Sequence, residues 1–167
     1  MKLEYVRAKI ENLDSVRIMF QDAIHKMVES GIDQWDEIYP DRNILEEDIL
    51  KEQLYIGIAQ GNIVSAYVLN QEYDEQYANG NWEYPASTFG VIHRLCVSPF
   101  FQKKGIGTQM MQHIEWEAQK MGIDSIRLDA FTLNPYAVKM YEGLGYKIVG
   151  SVCWRKGEFY LMEKRII

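Results

Sequence analysis

Apolar and polar positions along the chain follow two patterns, one typical of strands and one typical of helices. Alternating or continuous apolar runs, several of them rich in β-branched residues, predict seven strands. These strands are expected at 2–9, 54–60, 63–69, 87–98, 124–131, 146–154 and 158–166. Gly61 and Asn62, between the second and third runs, predict a tight hairpin turn.

Apolar residues spaced three or four apart predict helices between these strands. The first helix is expected to start near Asn12 or Asp14 and to end before Gly31. Leu13, Val16, Phe20, Ile24 and Met27 recur there at helical spacing. A second, short helix is expected at about 43–52, where the acidic run 46–48 is interpreted as a solvated face.

The third helix is expected at about 105–121, where Gly122 ends it. Its expected buried residues are Ile106, Met110, Ile114, Ala118 and Met121. Asn134 and Pro135 predict the start of a fourth helix. The polar segment 71–86 is interpreted as a loop. The order β-α-α-β-β-β-α-β-α-β-β predicts a mixed α/β fold.

Composition narrows the functional classes. The 167 residues, 47% of them apolar, suit one domain with a substantial core. The net charge of −6 argues against a nucleic-acid partner. The charged amino-terminal segment does not resemble a signal peptide, and the longest apolar run is too short to cross a membrane. We therefore expect a cytoplasmic protein in which Cys96 and Cys153 are reduced core thiols.

The segment 102–108, Gln-Lys-Lys-Gly-Ile-Gly-Thr, lies where the fourth predicted strand gives way to a helix. Such a turn points backbone N–H groups at one place, and glycines let the backbone approach a ligand closely. The expected ligand is a phosphate or pyrophosphate. Neither the P-loop pattern nor the third glycine of a dinucleotide-binding turn is present.

Two motifs together resemble a known family. Gln-x-x-Gly-x-Gly after a strand ending Leu-x-Val-x-Pro resembles motif A of the GCN5-related N-acetyltransferases (GNAT), which bind acetyl-CoA. Downstream, Asn134, Ala137, Tyr141 and Gly145-Tyr146 are similar to motif B of the same family. The resemblance is strongest over about 86–151. It implies one N-acetyltransferase domain, 1–167, with a mostly antiparallel sheet whose central strands splay apart.

The resemblance implies a site for acetyl-CoA. No metal is expected, since His93 and Cys96 would face opposite sides of a strand and could not bind one ion together. The pantetheine arm would pair with the backbone of the fourth strand, at Leu95, Cys96 and Val97. The pyrophosphate would lie on the turn formed by Gln102, Lys103, Lys104, Gly105, Ile106, Gly107 and Thr108. Asn134, Ala137 and Tyr141 would line the wall formed by the fourth helix, where Asn134 can also be a plain helix cap.

Tyr141 occupies the general-acid position of the family, and Asn134 is expected near the reacting centre. The glutamate that some members use as a base is replaced here by Val91. His93 lies two residues further on the same strand face and is a candidate base. The rival is a chain of water molecules ending on Asp129, Glu83 or a backbone carbonyl. Cys96 is expected to be an inert buried thiol rather than a nucleophile.

The acceptor is expected to be a primary amine of a small molecule or peptide. In this family the loop between the first two helices usually covers the acceptor, which implies roles for Gln34, Trp35 and Tyr39. No motif identifies the amine. A non-catalytic CoA-binding sensor and transfer of a longer acyl chain are the alternatives. A homodimer is plausible from the resemblance, and neither a nucleic-acid nor a membrane partner is expected.

Overall fold

The computed structural model describes residues 1–167 and contains the predicted order of strands and helices. The strands are β1 (Glu4–Arg7), β2 (Leu54–Ala59), β3 (Asn62–Asn70), β4 (Phe89–Val97), β5 (Ser125–Phe131), β6 (Lys147–Trp154) and β7 (Gly157–Arg165). The helices are α1 (Leu13–Glu29), α2 (Arg42–Leu50), α3 (Ile106–Lys120) and α4 (Pro135–Gly143). Short 3-10 helices cover Ile10–Asn12, Glu75–Asn79 and Pro99–Phe101. The predicted mixed α/β fold is thus confirmed.

The seven strands have the order β1-β2-β3-β4-β5-β7-β6 in a mostly antiparallel sheet. The chain forms two compact units. The first contains Met1–Leu69 and Arg94–Met110, and the second contains Asn70–His93 and Met111–Ile167. No helix has the length and apolar character needed to cross a membrane.

In the first unit, β1, β2 and β3 pair antiparallel, and α1 and α2 bury their apolar faces in one core cluster. Asp41 starts α2, since its side chain accepts a hydrogen bond from the backbone N–H of Ile44 at 2.9 Å. Gly61 takes a φ of +78° in the tight turn between β2 and β3, as the Gly-Asn pair predicted.

In the second unit, β7 pairs antiparallel with both β5 and β6. The parallel pairing of β4 with β5 covers only three residue pairs, from Phe89 and Ser125 to Val91 and Arg127. Ile92 and His93 continue β4 beyond the last of these pairs. A separate apolar cluster forms around Tyr77, Val91, Val149, Val152 and Leu161.

The segment 71–86, predicted as a loop, contains the 3-10 helix Glu75–Asn79 and is anchored by aromatic side chains. Trp82 Nε1 donates to the backbone oxygen of Tyr77 at 2.7 Å. The Arg127 guanidinium lies 4.2 Å from the Trp82 ring centre and 3.7 Å from that of Phe89. These contacts hold the segment against β5, which explains why so polar a sequence is ordered.

Three predictions of burial were wrong. Met121 is 49% exposed because α3 ends one residue earlier, at Lys120, whereas Met111 is buried. Cys153 is exposed near the end of β6. Asp48, interpreted as part of a solvated face, is buried because it lies beside Leu45 and Ile49 on the face of α2 that enters the core.

Candidate active site

The turn before α3 contains two residues with left-handed backbones. Lys103 and Gly105 both take left-handed φ angles, +61° and +76°, and α3 begins at the next residue, Ile106. A Cβ atom at Gly105 would meet no protein atom within 4 Å, so this side of the turn is open. The side-chain amide of Gln102 donates to the backbone oxygen of Val97 at 3.4 Å, which joins the turn to the end of β4.

Charge and unpaired donors coincide at this turn. The first N–H groups of α3 have no acceptor one turn back, since the first regular bond here runs from Gln109 to the Gly105 carbonyl. The partial positive charge of the helix end adds to that of two exposed lysines, Lys103 and Lys104. Thr108 is exposed and Gly107 half-buried, so the amino-terminal face of α3 can reach a phosphate.

Strand β4 leads to this turn through the 3-10 helix Pro99–Phe101. Leu95 and Val97 are half-buried, while Cys96 is buried in the core cluster of the first unit. Burial raises the pKa of the Cys96 thiol, so it is not a thiolate at neutral pH. The backbone N–H of Ser98 donates to the Val64 carbonyl at 2.8 Å and fixes the end of the strand against β3.

Arg94, the residue before Leu95, forms a buried ion pair that was not predicted from the sequence. Arg94 takes a φ of +49° in the middle of β4. Its Nε and Nη2 donate to the two carboxylate oxygens of Asp48, each at 2.7 Å, and its Nη1 donates to the Tyr39 hydroxyl at 2.9 Å. The side chains of Arg94 and Asp48 are only 12% and 7% exposed. Burial raises the pKa of the Asp48 carboxyl, and Arg94 acts in the opposite direction.

The loop after α1 carries the predicted acceptor residues. Asp36 fixes the loop, since its side chain accepts from the backbone N–H groups of Ile38 and Tyr39 at 3.0 and 3.1 Å. Trp35 packs on Phe20 with the ring centres 5.5 Å apart and lies, partly buried, against the core cluster of the first unit. Gln34 is half-buried and Tyr39 exposed. The Tyr39 hydroxyl thus accepts a hydrogen bond from Arg94 of β4, while Trp35 anchors the loop by packing on Phe20.

In the second unit, Asn134 caps α4. Its side-chain oxygen accepts from the backbone N–H of Ala137 at 3.2 Å, and Pro135 occupies the first turn. Asn134 and Ala137, predicted to share one helix face, are therefore in direct contact. The capping role proposed for Asn134 from the sequence is present.

Tyr141 is buried near the end of α4, and its ring meets Tyr146 edge-on with the ring centres 6.0 Å apart. The Tyr146 hydroxyl donates to Glu115 Oε1 at 3.0 Å, and Lys164 Nζ contacts both oxygens of that carboxylate at 2.9 Å. Burial, and then the charge of Asp129, raise the pKa of Tyr141 well above its usual value. The phenol is therefore protonated at neutral pH.

His93 is half-buried and lies two residues after Val91, the last β4 residue paired with β5. Its Nε2 lies 2.8 Å from Asn70 Oδ1 and 3.0 Å from the Glu72 carbonyl oxygen. A carbonyl oxygen only accepts, and Asn70 Oδ1 also accepts from the Glu72 N–H at 3.0 Å. Nε2 thus carries the proton, and the lone pair of the neutral imidazole is on Nδ1.

Asp129, the rival to His93, lies on β5 and accepts a hydrogen bond from the Tyr77 hydroxyl at 2.6 Å. The Tyr77 phenol thus already occupies one oxygen of this carboxylate. Neither the contact with Tyr77 nor the pairing of Asp48 with Arg94 was predicted. The position of Asp48 beside Leu45 and Ile49 was the available signal, since a carboxylate on an apolar helix face needs a buried partner.

Comparison with known proteins identifies the family. Residues 20–146 match the family model described as Acetyltransferase (GNAT) family. This match covers most of the chain, so the protein belongs to the GNAT acetyltransferases, as the two motifs indicated. Membership implies transfer of an acetyl group from acetyl-CoA.

Individual relatives are distant. The chain is 29% identical over 55 residues to the ribosomal protein bS18-alanine N-acetyltransferase of Escherichia coli K12. That match spans 33% of this chain and 37% of the relative. A probable N-acetyltransferase 14 from Xenopus tropicalis is 29% identical over 63 residues, which are 38% of this chain and 31% of the relative. The chain thus matches only about a third of the length of these relatives.

Solved structures match over nearly the whole fold. A GNAT-family acetyltransferase from Streptococcus agalactiae has a TM-score of 0.87 at 22% identity, covering 98% of this chain and 95% of that one. The PaiA N-acetyltransferase of Thermoplasma acidophilum, solved in complex with coenzyme A, has a TM-score of 0.74 at 18% identity. The match covers 99% of both chains. These likenesses establish the fold.

Proposed function

We propose that the protein is an acetyl-CoA-dependent N-acetyltransferase that transfers the acetyl group directly to a primary amine. The observation that carries the proposal is the turn before α3. Lys103 and Gly105 have left-handed backbones, and the start of the helix carries motif A of the family. The open space at Gly105 and the exposed lysines fit a diphosphate, which needs close backbone approach and positive charge.

The turn residues would bind the pyrophosphate of CoA through the N–H groups of Ile106, Gly107 and Thr108. Lys103 and Lys104 would add charge toward the outer phosphates. The backbone of Leu95–Val97 would hold the pantetheine arm as an added strand, with Asn134 at the reacting end. Each of these roles rests on the motif position of the residue and on its local geometry.

Transfer requires a neutral amine, so a base must first take its proton. His93 is the proposed base, acting through Nδ1 directly or through one water molecule. The amine nitrogen then forms a bond to the acetyl carbon, and a backbone N–H near Val97 stabilises the oxyanion. Collapse of the tetrahedral intermediate restores the carbonyl and breaks the carbon–sulfur bond, and the nitrogen loses its second proton to solvent, so the products are the amide and the CoA thiolate.

Tyr141 is the proposed donor to the departing sulfur. Its raised pKa keeps the hydroxyl protonated but makes it a weaker acid than a thiol, whose reference pKa is about 8.5. It therefore contributes a hydrogen bond as negative charge develops on sulfur, and solvent completes protonation of the thiolate. Cys96 takes no part, because its buried thiol is neither ionised nor accessible.

The proposed acceptor is an amine of a small molecule or a peptide, bound by the loop that carries Gln34 and Tyr39. A relative acts on an alanine of a ribosomal protein, which makes peptides with a free amino terminus a first class to test. A non-catalytic CoA sensor remains the second candidate. The observation that favours it is Val91, buried at the position where a catalytic glutamate would stand.

The test combines calorimetric binding of CoA with thiol release from acetyl-CoA across a panel of peptides, polyamines, amino acids and aminoglycosides. Tyr141→Phe is compared with Tyr136→Phe, an exposed tyrosine on the same helix. We expect amine-dependent release that falls about 10²-fold or more in Tyr141→Phe alone, while CoA affinity is kept. Binding without turnover on any amine would favour the sensor, and absence of CoA binding would overturn the proposal.

A further inference from the structure

Arg94 combines two unfavourable features at one position of the first unit. A non-glycine residue with a φ of +49° inside a strand is a strained conformation, which persists only where surrounding contacts impose it. The same residue buries a charged side chain against Asp48, with the side chains 12% and 7% exposed. The next residue, Leu95, begins the backbone segment Leu95–Val97, which leads to the proposed pyrophosphate turn.

We propose that the Asp48–Arg94 ion pair is a positioning device for acetyl transfer. The pair holds the left-handed backbone at Arg94 and thereby sets the direction of the N–H and carbonyl groups of Leu95–Val97. Through the Tyr39 hydroxyl, it also ties the loop 33–40 to the same strand. The inference rests on the proposed function, since it assigns acetyl-CoA to that backbone segment.

Stability alone does not account for this arrangement. The cost of removing two charges from water largely cancels the attraction within a buried ion pair, and apolar residues often do as well at such sites. Geometry is what the pair supplies: Nε and Nη2 of Arg94 meet both oxygens of Asp48 at 2.7 Å. This two-point contact fixes the guanidinium plane and, with it, the backbone from which the side chain leaves.

A third contact of Arg94 connects the ion pair to the loop 33–40, which carries the proposed acceptor residues. Arg94 Nη1 donates to the Tyr39 hydroxyl at 2.9 Å, and the Tyr39 backbone is held in turn by Asp36. The Arg94 guanidinium contacts Asp48 of α2 through Nε and Nη2, and Tyr39 of the loop through Nη1. Arg94 thereby joins β4, α2 and the loop within the first unit. A lysine at this position would keep the charge but could not make these contacts together.

The experiment is hydrogen–deuterium exchange of the full chain, read in peptides covering 33–40, 42–50 and 94–98, together with acetyl-transfer kinetics and CoA affinity. The variants are Asp48→Asn, Arg94→Lys and Tyr39→Phe. Glu47→Gln is the matched control, because Glu47 is the adjacent carboxylate of α2 and pairs with Lys51 on the exposed face. Should Asp48→Asn fail to fold, Arg94→Lys carries the test, since it leaves no carboxylate without a cationic partner.

We expect exchange at 94–98 to rise about tenfold or more in Asp48→Asn and Arg94→Lys, and not at all in Glu47→Gln. Tyr39→Phe is expected to raise exchange at 33–40 alone. With an amine that the wild type acetylates, kcat should fall about tenfold or more in the first two variants, beyond any change in CoA affinity. The proposal would be overturned if exchange rose only at 42–50. It would also be overturned if kcat stayed unchanged although exchange at 94–98 rose.

The exchange data also separate this inference from the proposed function. If the wild type acetylates no amine, the proposed function fails on thiol release. The exchange pattern still decides whether the pair orders Leu95–Val97. If the wild type is active and exchange at 94–98 is unaffected by Arg94→Lys, the positioning role fails while the enzyme stands.

Discussion

Asn70 Oδ1 lies 2.8 Å from His93 Nε2 and fixes the imidazole with its proton on that nitrogen. An Asn70→Asp substitution would place a negative charge beside the ring and stabilise its protonated form. We expect the pKa of His93 to rise by about one unit or more. Because the base must be neutral, the acidic limb of the rate profile should move to higher pH, which lowers activity at pH 7.

The measurement is kcat/KM against pH, with the imidazole followed by NMR in the same variant. Glu75→Gln is the control, since Glu75 is an exposed carboxylate of the same segment 71–86. A His93 resonance that titrates higher without any movement of the rate profile would remove His93 from the mechanism and leave the water chain as the base.

Gly105 and Gly122 have nearly the same backbone, with φ angles of +76° and +78°, and neither would bring a Cβ against a protein atom. An alanine at either position should therefore cost about 1–2 kcal/mol of unfolding free energy through the left-handed backbone alone. Only Gly105 lies in the proposed pyrophosphate turn. We expect Gly105→Ala to weaken CoA binding about tenfold or more, and Gly122→Ala to leave it unchanged.

Urea unfolding and calorimetry check the two effects separately. Equal losses of stability with equal CoA affinity would show that the turn is only a helix start. A loss of affinity in Gly122→Ala would point to a general loosening of α3 and would remove the support that this pair of variants gives to the turn.

The fold was largely predictable because its signals are local. Apolar spacing identified the seven strands and the first three α-helices, Asn134 and Pro135 marked the start of the fourth, and the Gly-Asn turn and the Asn134 cap appear as expected. Long-range pairing was not predictable, since no pattern near Asp48 identifies Arg94, 46 residues away, as its partner. The same holds for the segment 71–86, whose order depends on Arg127 and on strands that follow it in the chain.

The site residues also divide into those set by local sequence and those set by distant segments. Residues 102–108 form their turn from local sequence, so their positions could be foreseen. The strained φ at Arg94 and the tautomer of His93 depend on side chains from other segments, and no pattern of residue types contains them.

Two buried phenols, Tyr141 and Tyr146, should make the protein sensitive to alkali. Burial raises the pKa of each in the folded state above the value of about 10 expected when unfolded. Their contribution to stability is complete below pH 10 and is lost as the pH rises toward the folded pKa. Each should steepen the fall in unfolding free energy by about 1.4 kcal/mol per pH unit in that range.

Urea unfolding between pH 8 and pH 11 measures this slope. Tyr141→Phe should reduce the slope above pH 10 by the share of one tyrosine, whereas Tyr136→Phe, at an exposed position of the same helix, should leave it unchanged. An identical slope in the wild type and in Tyr141→Phe would mean that Tyr141 ionises as easily in the folded protein as in the unfolded chain.

The strain at Arg94 can be measured by comparing the unfolding free energies of its alanine and glycine variants. The usual order, in which alanine is the more stable, should be reversed there. At an ordinary strand position such as Ser151, exposed on β6, alanine should be more stable than glycine by about 0.5–1 kcal/mol. At Arg94, both substitutions remove the guanidinium and leave Asp48 without it, so their difference reports the backbone. Because φ is +49°, we expect Arg94→Gly to be the more stable of the two by about 1 kcal/mol in urea unfolding. The same sign of difference at both positions would show that the left-handed backbone relaxes once the guanidinium is gone. In that case the left-handed backbone would depend wholly on the ion pair, whereas the expected difference means that the pair restrains a left-handed backbone that persists, more loosely, without it.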